Sequence, residues 1–199
     1  MSGSSQLKIA GLILVNERTI FKLKSHEETK LAHSRIPMNF ETLSPRDLRS
    51  ELEALYADYA ESLNDERFED WLAFFTETAF YQITSRENFE RNLPVALWRC
   101  ESKGMIMDRV VAIRQTAYYG PRSIRRMVSG IRALGWTDGV LKASASYLAV
   151  ETLPDELTRV FNAGKYIDEI VVENGRLVFA KKICVYDTLL IPNSLIYPL

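Results

Sequence analysis

Residues 64–75 read Asn64-Asp-Glu-Arg-Phe-Glu-Asp-Trp-Leu-Ala-Phe-Phe75, within a longer informative run from Leu48 to Ile113. Asn64 or Asp65 ends one helical pattern and caps a second, shorter one carrying Phe68, Trp71, Leu72 and Phe75. Upstream, Ser44-Pro45-Arg46-Asp47 is a helix start: Ser44 can cap, Pro45 suits the first helical position, and Asp47 places negative charge in the first turn. Leu48, Leu52, Leu55, Tyr56, Tyr59 and Leu63 then recur at helical spacing and predict one apolar face. Downstream, Phe80-Tyr-Gln-Ile83 predicts a strand, and Lys103 to Ala117 a third helix with Met107, Val110, Val111 and Arg114.

The second half changes period. Ile124 to Leu134, Val140 to Thr152, Leu157 to Val172 and Leu177 to Ile191 read as strands. Gly135-Trp-Thr-Asp-Gly139 and Glu173-Asn174-Gly175 mark the turns, and Asn-Gly between two β-rich runs is a strong hairpin signal. Long strands preceded by helices predict an α+β roll, a strongly curved and mostly antiparallel sheet wrapped around helices. Residues 1–37 look like a separate extension: either a poorly ordered arm, or a segment upstream of a true start at Met38. Residues 38–199 read as the packed domain.

The chain has 199 residues, 47% of them apolar and 26% charged, enough for one globular domain with a sizeable core. The net charge of −1 and pI of about 6.2 give no reason to expect nucleic acid or an anionic membrane as partner. The apolar stretch Ile9 to Val15 is far shorter than the ~20 residues that span a bilayer as a helix. Lys8 precedes it, but Asn16-Glu-Arg follows directly with no small-residue cleavage site, which argues against a signal peptide. Cys100 and Cys184 form no C-x-x-C unit and read as reduced, buried thiols of a cytosolic protein.

Three stretches resemble the small (β) subunits of aromatic-ring-hydroxylating dioxygenases, the Rieske non-haem iron oxygenases. The first joins Tyr56, Asp58, Tyr59, Asn64, Phe68, Trp71, Phe74-Phe75 and Thr76 to the strand Tyr81-Gln-Ile-Thr-Ser-Arg-Glu-Asn88. The second is Met107-Asp-Arg-Val-Val-Ala-Ile113. The third is Asp187-Thr-Leu-Leu-Ile-Pro192 with the closing Tyr197-Pro-Leu199. Together they span about residues 44–199. The resemblance implies an NTF2-like (SnoaL-like) cone and a non-catalytic role beside a larger α subunit. That subunit would carry the Rieske [2Fe-2S] cluster and the mononuclear iron. It implies assembly as α3β3, with the β subunits trimerising, and electron supply to the complex by a reductase or ferredoxin. Within the family the chain looks most like subunits of hydroxylases of benzoate-like acids such as terephthalate or salicylate. The extension at 1–37 departs from the family, whose members usually begin near the first helix.

The residues themselves fit neither iron site. A Rieske cluster needs two Cys and two His, and an oxygen-activating iron needs two His and a carboxylate. The chain has two histidines, His26 and His33, both in the extension and read as solvated. A second reading is a stand-alone cone-fold dehydratase or isomerase, or a small-ligand binder. Its acid/base candidates would be Asp58, Asp108, Asp187, Tyr56 and Tyr81. Asp187 has no charged neighbour within four residues and is the least explained. Tyr118, Tyr119, Arg122, Arg125 and Arg126 form a basic, aromatic cluster expected to act as an interface anchor. Trp71, Phe74-Phe75, Met105 and Met107 are read as core packing.

Overall fold

The first helix, α1 (Pro45–Asn64), begins where the sequence places it: the Ser44 side chain accepts a hydrogen bond from the Asp47 amide. In this computed structural model the described residues are 39–116, 120–188 and 195–199, all within a unit spanning Asn39–Leu199. The unit Met1–Met38 lies outside the described residues, and with it fall the boundary expected at 37/38 and both histidines. Leu48, Leu52, Leu55, Tyr56, Tyr59 and Leu63 are buried, so the apolar stripe faces the core. Each such side chain contributes on the order of 1.5–3 kcal/mol of burial.

A short helix, α2 (Phe68–Trp71), and a 3-10 turn (Leu72–Phe74) lead into strand β1 (Phe75–Ser85). Phe68, Trp71 and Phe75 are buried, with Phe74 packed beside them, as expected of core residues. The strand stops earlier than the pattern through Asn88 suggests. Ser85 caps a new helix, α3 (Arg86–Glu90), by accepting from the Asn88 amide. Strand β2 (Trp98–Cys100) is too short for a periodicity to reveal, and α4 (Lys103–Gln115) follows. Met105 and Met107 point outward on α4 and are exposed, which corrects their reading as core; Ile106 and Val110 supply its buried face.

Four long strands complete the sheet: β3 (Ser123–Thr137), β4 (Val140–Thr152), β5 (Arg159–Glu173) and β6 (Arg176–Tyr186). The order is β2-β1-β6-β5-β4-β3, antiparallel except for the parallel pair β1–β6. The β5–β6 hairpin turns on Asn174-Gly175 (φ 52° and 71°), and β3–β4 on Asp138-Gly139 (φ 51° and 75°). Both pairs of left-handed residues match a two-residue type I′ turn. The expected turn at 135–139 is therefore narrower: β3 runs on to Thr137, and Gly135 sits at a register shift instead. Gly164 allows a close approach of β6: a Cβ there would lie 1.9 Å from the Val185 carbonyl oxygen. The α+β expectation of a curved, mostly antiparallel sheet holding helices is met. No helix among the described residues is long and apolar enough to cross a membrane.

Candidate functional site

The concave side of the sheet carries a polar cluster that the strand pattern disguises. Tyr166, Asp168 and Ile170 alternate inward on β5, and Lys182, Cys184 and Tyr186 do so on β6. Asp168 and Lys182 are direct cross-strand partners. Lys182 Nζ lies 3.1 Å from Asp168 Oδ2, and both side chains are fully buried. Tyr56, reaching in from α1, donates its hydroxyl to the same Oδ2. Aromatic rings enclose the ammonium: Tyr166 at 3.6 Å to the centroid, Phe179 at 4.3 Å, Tyr59 at 4.5 Å and Tyr56 at 4.9 Å. Ring faces and one carboxylate oxygen thus replace the water that Lys182 would otherwise need.

Burial pushes the Asp168 carboxyl above its ordinary range, although Lys182 and Tyr56 oppose the shift. Burial, then the Asp168 charge, raises Tyr56, so its phenol stays protonated and donates. Cys184 is pushed by burial up to about 12, so it is an inert thiol. Asp168 Oδ1, Tyr166 Oη and Asn162 Nδ2 are buried without a hydrogen-bond partner among the described residues. A carboxylate, an ammonium and phenols are an acid/base set in kind. They lack access, because the residues that make up the cluster have essentially no exposed surface.

Residues 195–199 close the region beside this cluster. Tyr59 Oη donates to the Leu199 carbonyl oxygen at 2.6 Å and Tyr81 Oη does so at 3.0 Å. The Arg126 guanidinium donates to the Pro198 carbonyl at 2.6 Å and 3.0 Å, and Trp98 Nε1 to that of Leu195 at 3.0 Å. An open groove of about 470 Å³ lies between α1 and β3, lined by Tyr56 together with Glu53, Ala57, Glu61, Val128 and Ile131.

The candidates named from sequence do not converge. Asp58 and Asp108 are exposed and lie on separate helices, α1 and α4. Asp187 is exposed and pairs with Arg86 at 2.5 Å, a partner 101 residues away that explains it. Tyr56 and Tyr81 are buried, each holding a different element. The basic cluster is not one patch either, since successive strand residues point to opposite faces. Arg126 turns inward, 4% exposed, onto Asn64 and Pro198. Arg122 pairs with buried Glu151 at 2.6 Å, which also takes Arg159 at 2.8 Å. Only Arg125 of the three faces out. Tyr118 and Tyr119 lie outside the described residues. Asp168 and Lys182 went unnoticed in the sequence; a charge at an inward-phase position of an apolar strand was the signal. No group of three or more His, Cys, Asp or Glu among the described residues could hold a metal ion.

Residues 59–192 match the family described as ring hydroxylating beta subunit. The anthranilate 1,2-dioxygenase small subunit of Burkholderia cepacia is 32% identical over 149 residues, covering 75% of this chain and 92% of its own. The terephthalate 1,2-dioxygenase terminal oxygenase component subunit beta 2 of a Comamonas species is 26% identical over 150 residues, covering 75% and 97%. A crystal structure assigned as the β subunit of an aromatic-ring-hydroxylating dioxygenase from Novosphingobium aromaticivorans superposes with a TM-score of 0.70 at 34% identity. It covers 77% of this chain and 98% of that one.

Proposed function

The chain belongs to the ring-hydroxylating β-subunit family, the small subunits of dioxygenases, and from that premise we propose that it is a structural, non-catalytic component of an oxygenase acting on a benzoate-like aromatic acid. The observation that carries the non-catalytic reading is the inaccessible interior: the acid/base set found among the described residues, Asp168, Lys182 and Tyr56, is buried in a packed aromatic cage. Anthranilate and terephthalate, on which the two similar enzymes act, are both aromatic carboxylic acids, which supports the substrate class.

The described residues do not fit either iron centre of such an oxygenase. They contain no histidine, and Cys100 and Cys184 are buried, free thiols. We therefore assign the Rieske [2Fe-2S] cluster and the mononuclear iron to a larger α subunit. In this reading the chain trimerises within an α3β3 complex in the cytoplasm, and a reductase or ferredoxin supplies its electrons. The outer face of the sheet suits a subunit contact. Arg125 and exposed Met127 on β3 lie beside Val150 and Leu148 on β4, and Val150 beside exposed Val160 on β5. Apolar residues at outward positions of an antiparallel sheet are what an interface leaves uncovered in an isolated subunit.

Assembled complex carrying Asp58→Asn, Asp108→Asn or Asp187→Asn is expected to turn over substrate at the unaltered rate per iron. Loss of turnover with full iron content and intact mass would place chemistry on this chain, and the cone-enzyme reading would replace the structural one.

A further inference from the structure

Residues 195–199 are held in an unusual way for a segment of a sheet protein. None of them joins the strand ladder, and no backbone–backbone bond ties them to the sheet among the described residues. Leu195, Pro198 and Leu199 are each met at a main-chain atom by a scaffold side chain. Trp98 on β2 reads Leu195, Arg126 on β3 reads Pro198 with two nitrogens, and Tyr59 on α1 reads Leu199. Tyr81 on β1 uses one phenol for both sides of Leu199: it donates to the carbonyl and accepts from the amide, each at 3.0 Å. The Leu199 side chain is fully buried, Leu195 nearly so, and the Tyr197 ring stacks on Phe68 at 5.6 Å.

Tyr59, Tyr81, Trp98 and Arg126 come from four elements, α1, β1, β2 and β3, that are also joined by contacts outside the segment, β1 and β2 by their strand pairing. Asn64, for instance, positions β3 through the Arg126 amide at 2.8 Å. Burial lowers the Arg126 guanidinium from its usual value, and among the described residues no Asp or Glu pairs with it. A buried cation and two buried phenols directed at one spot demand an acceptor. Main-chain carbonyls supply it, flanked by aliphatic side chains that fill the apolar surroundings.

We propose that residues 195–199 are a bound ligand of the cone rather than part of its scaffold, in a preformed peptide-main-chain site made by Tyr59, Tyr81, Trp98 and Arg126. The site takes a short peptide by its main-chain groups, with a branched aliphatic side chain buried at the Leu199 position, and its natural occupant is this chain's own segment. The inference does not depend on whether the chain assembles with a larger subunit.

The first test is complementation. A chain ending at Ser194 is expected to fold with a lowered melting temperature, and the synthetic peptide Leu-Ile-Tyr-Pro-Leu to restore it saturably. The same peptide carrying Leu199→Asp should not restore it, and neither peptide should act on a truncated chain carrying Arg126→Met. A truncated chain that stays unfolded at saturating peptide overturns the proposal, as does one whose stability the peptide leaves unchanged. The second test uses the full chain. Tyr81→Phe should speed hydrogen exchange at the Leu199 amide by about tenfold, the equivalent of one lost hydrogen bond, while amides of β5 and β6 keep their rates. If Leu199 exchanges only with global unfolding in both proteins, the segment is scaffold and the proposal fails.

Discussion

Lys182 and Asp168 show how far one residue's meaning depends on its partners. Replacing Lys182 by Met keeps the volume and leaves a buried carboxylate without its counter-charge. Such single removals cost about 3–5 kcal/mol, so K182M should unfold at markedly lower urea than the parent. The double variant K182M/D168L removes both charges and should recover most of that loss, because a well-packed apolar pair replaces the ion pair. Equal instability of the single and double variants would show that the two charges are not coupled. The pH dependence has a definite sign. Burial raises Asp168 above its unfolded carboxylate value, so the folded state holds its proton more tightly. Its contribution is then most favourable below the unfolded value and is lost as pH rises through the folded one. The stability difference between parent and D168N, followed by urea titration, should shift against the parent as pH rises across that window. Asp187 carries the complementary lesson: it looked unexplained only because Arg86 is distant in sequence and adjacent in space.

At the level of elements, what was legible was local. The 3.6-residue spacing of Leu52, Tyr56, Tyr59 and Leu63, with Ser44 and Pro45 ahead of them, predicts α1 nearly to its ends. Asn174-Gly175 likewise predicts the β5–β6 turn, because left-handed backbone is written in residue type. Ser44→Ala should cost about 1 kcal/mol through loss of the cap on the Asp47 amide, measurable as a lower urea midpoint with an unchanged slope. What was not legible was non-local. Strand β1 pairs parallel to β6 from about half the chain away, β2 has three residues, and α3 follows a strand without a break. Bulges at Ser129/Arg132 and Ala133/Gly135 carry β3 beyond the turn that Gly135 suggested. Gly164 belongs here too, since its role lies in a neighbouring strand. With 1.9 Å between a new Cβ and the Val185 oxygen, Gly164→Ala must push β5 from β6. It should cost about 3 kcal/mol or more, seen as loss of soluble protein or a large drop in melting temperature.

Viewed as a whole, the described unit spends its interior on rigidity. A cone lined by Tyr56, Tyr59, Tyr81, Tyr166, Trp71, Phe75 and Phe179 is filled by its own rings and one caged ion pair. The proposed role as a partner subunit then falls to the outside, where Arg125, Met127 and Val160 lie exposed. The basic cluster read from sequence mixed residues of two faces that a strand separates. Arg125→Glu should loosen the assembly at low salt with the subunit still folded, since a wrong-sign charge at a contact slows association and weakens it. Arg126→Glu should instead destabilise the subunit itself, because it places a carboxylate against the Pro198 carbonyl in the core. Size-exclusion mass and the melting temperature of the isolated chain separate the two outcomes.

The central claim is that this chain supports an oxygenase whose metals lie elsewhere. The measurement that tests it most directly is to recover the tagged full chain from its native host and determine the mass, visible spectrum and iron content of what co-elutes. A red-brown complex holding this chain and a larger iron-sulfur subunit in equal numbers, with all iron on the larger one after separation, is the predicted result. A colourless species made of this chain alone, or iron retained by this chain, would contradict it.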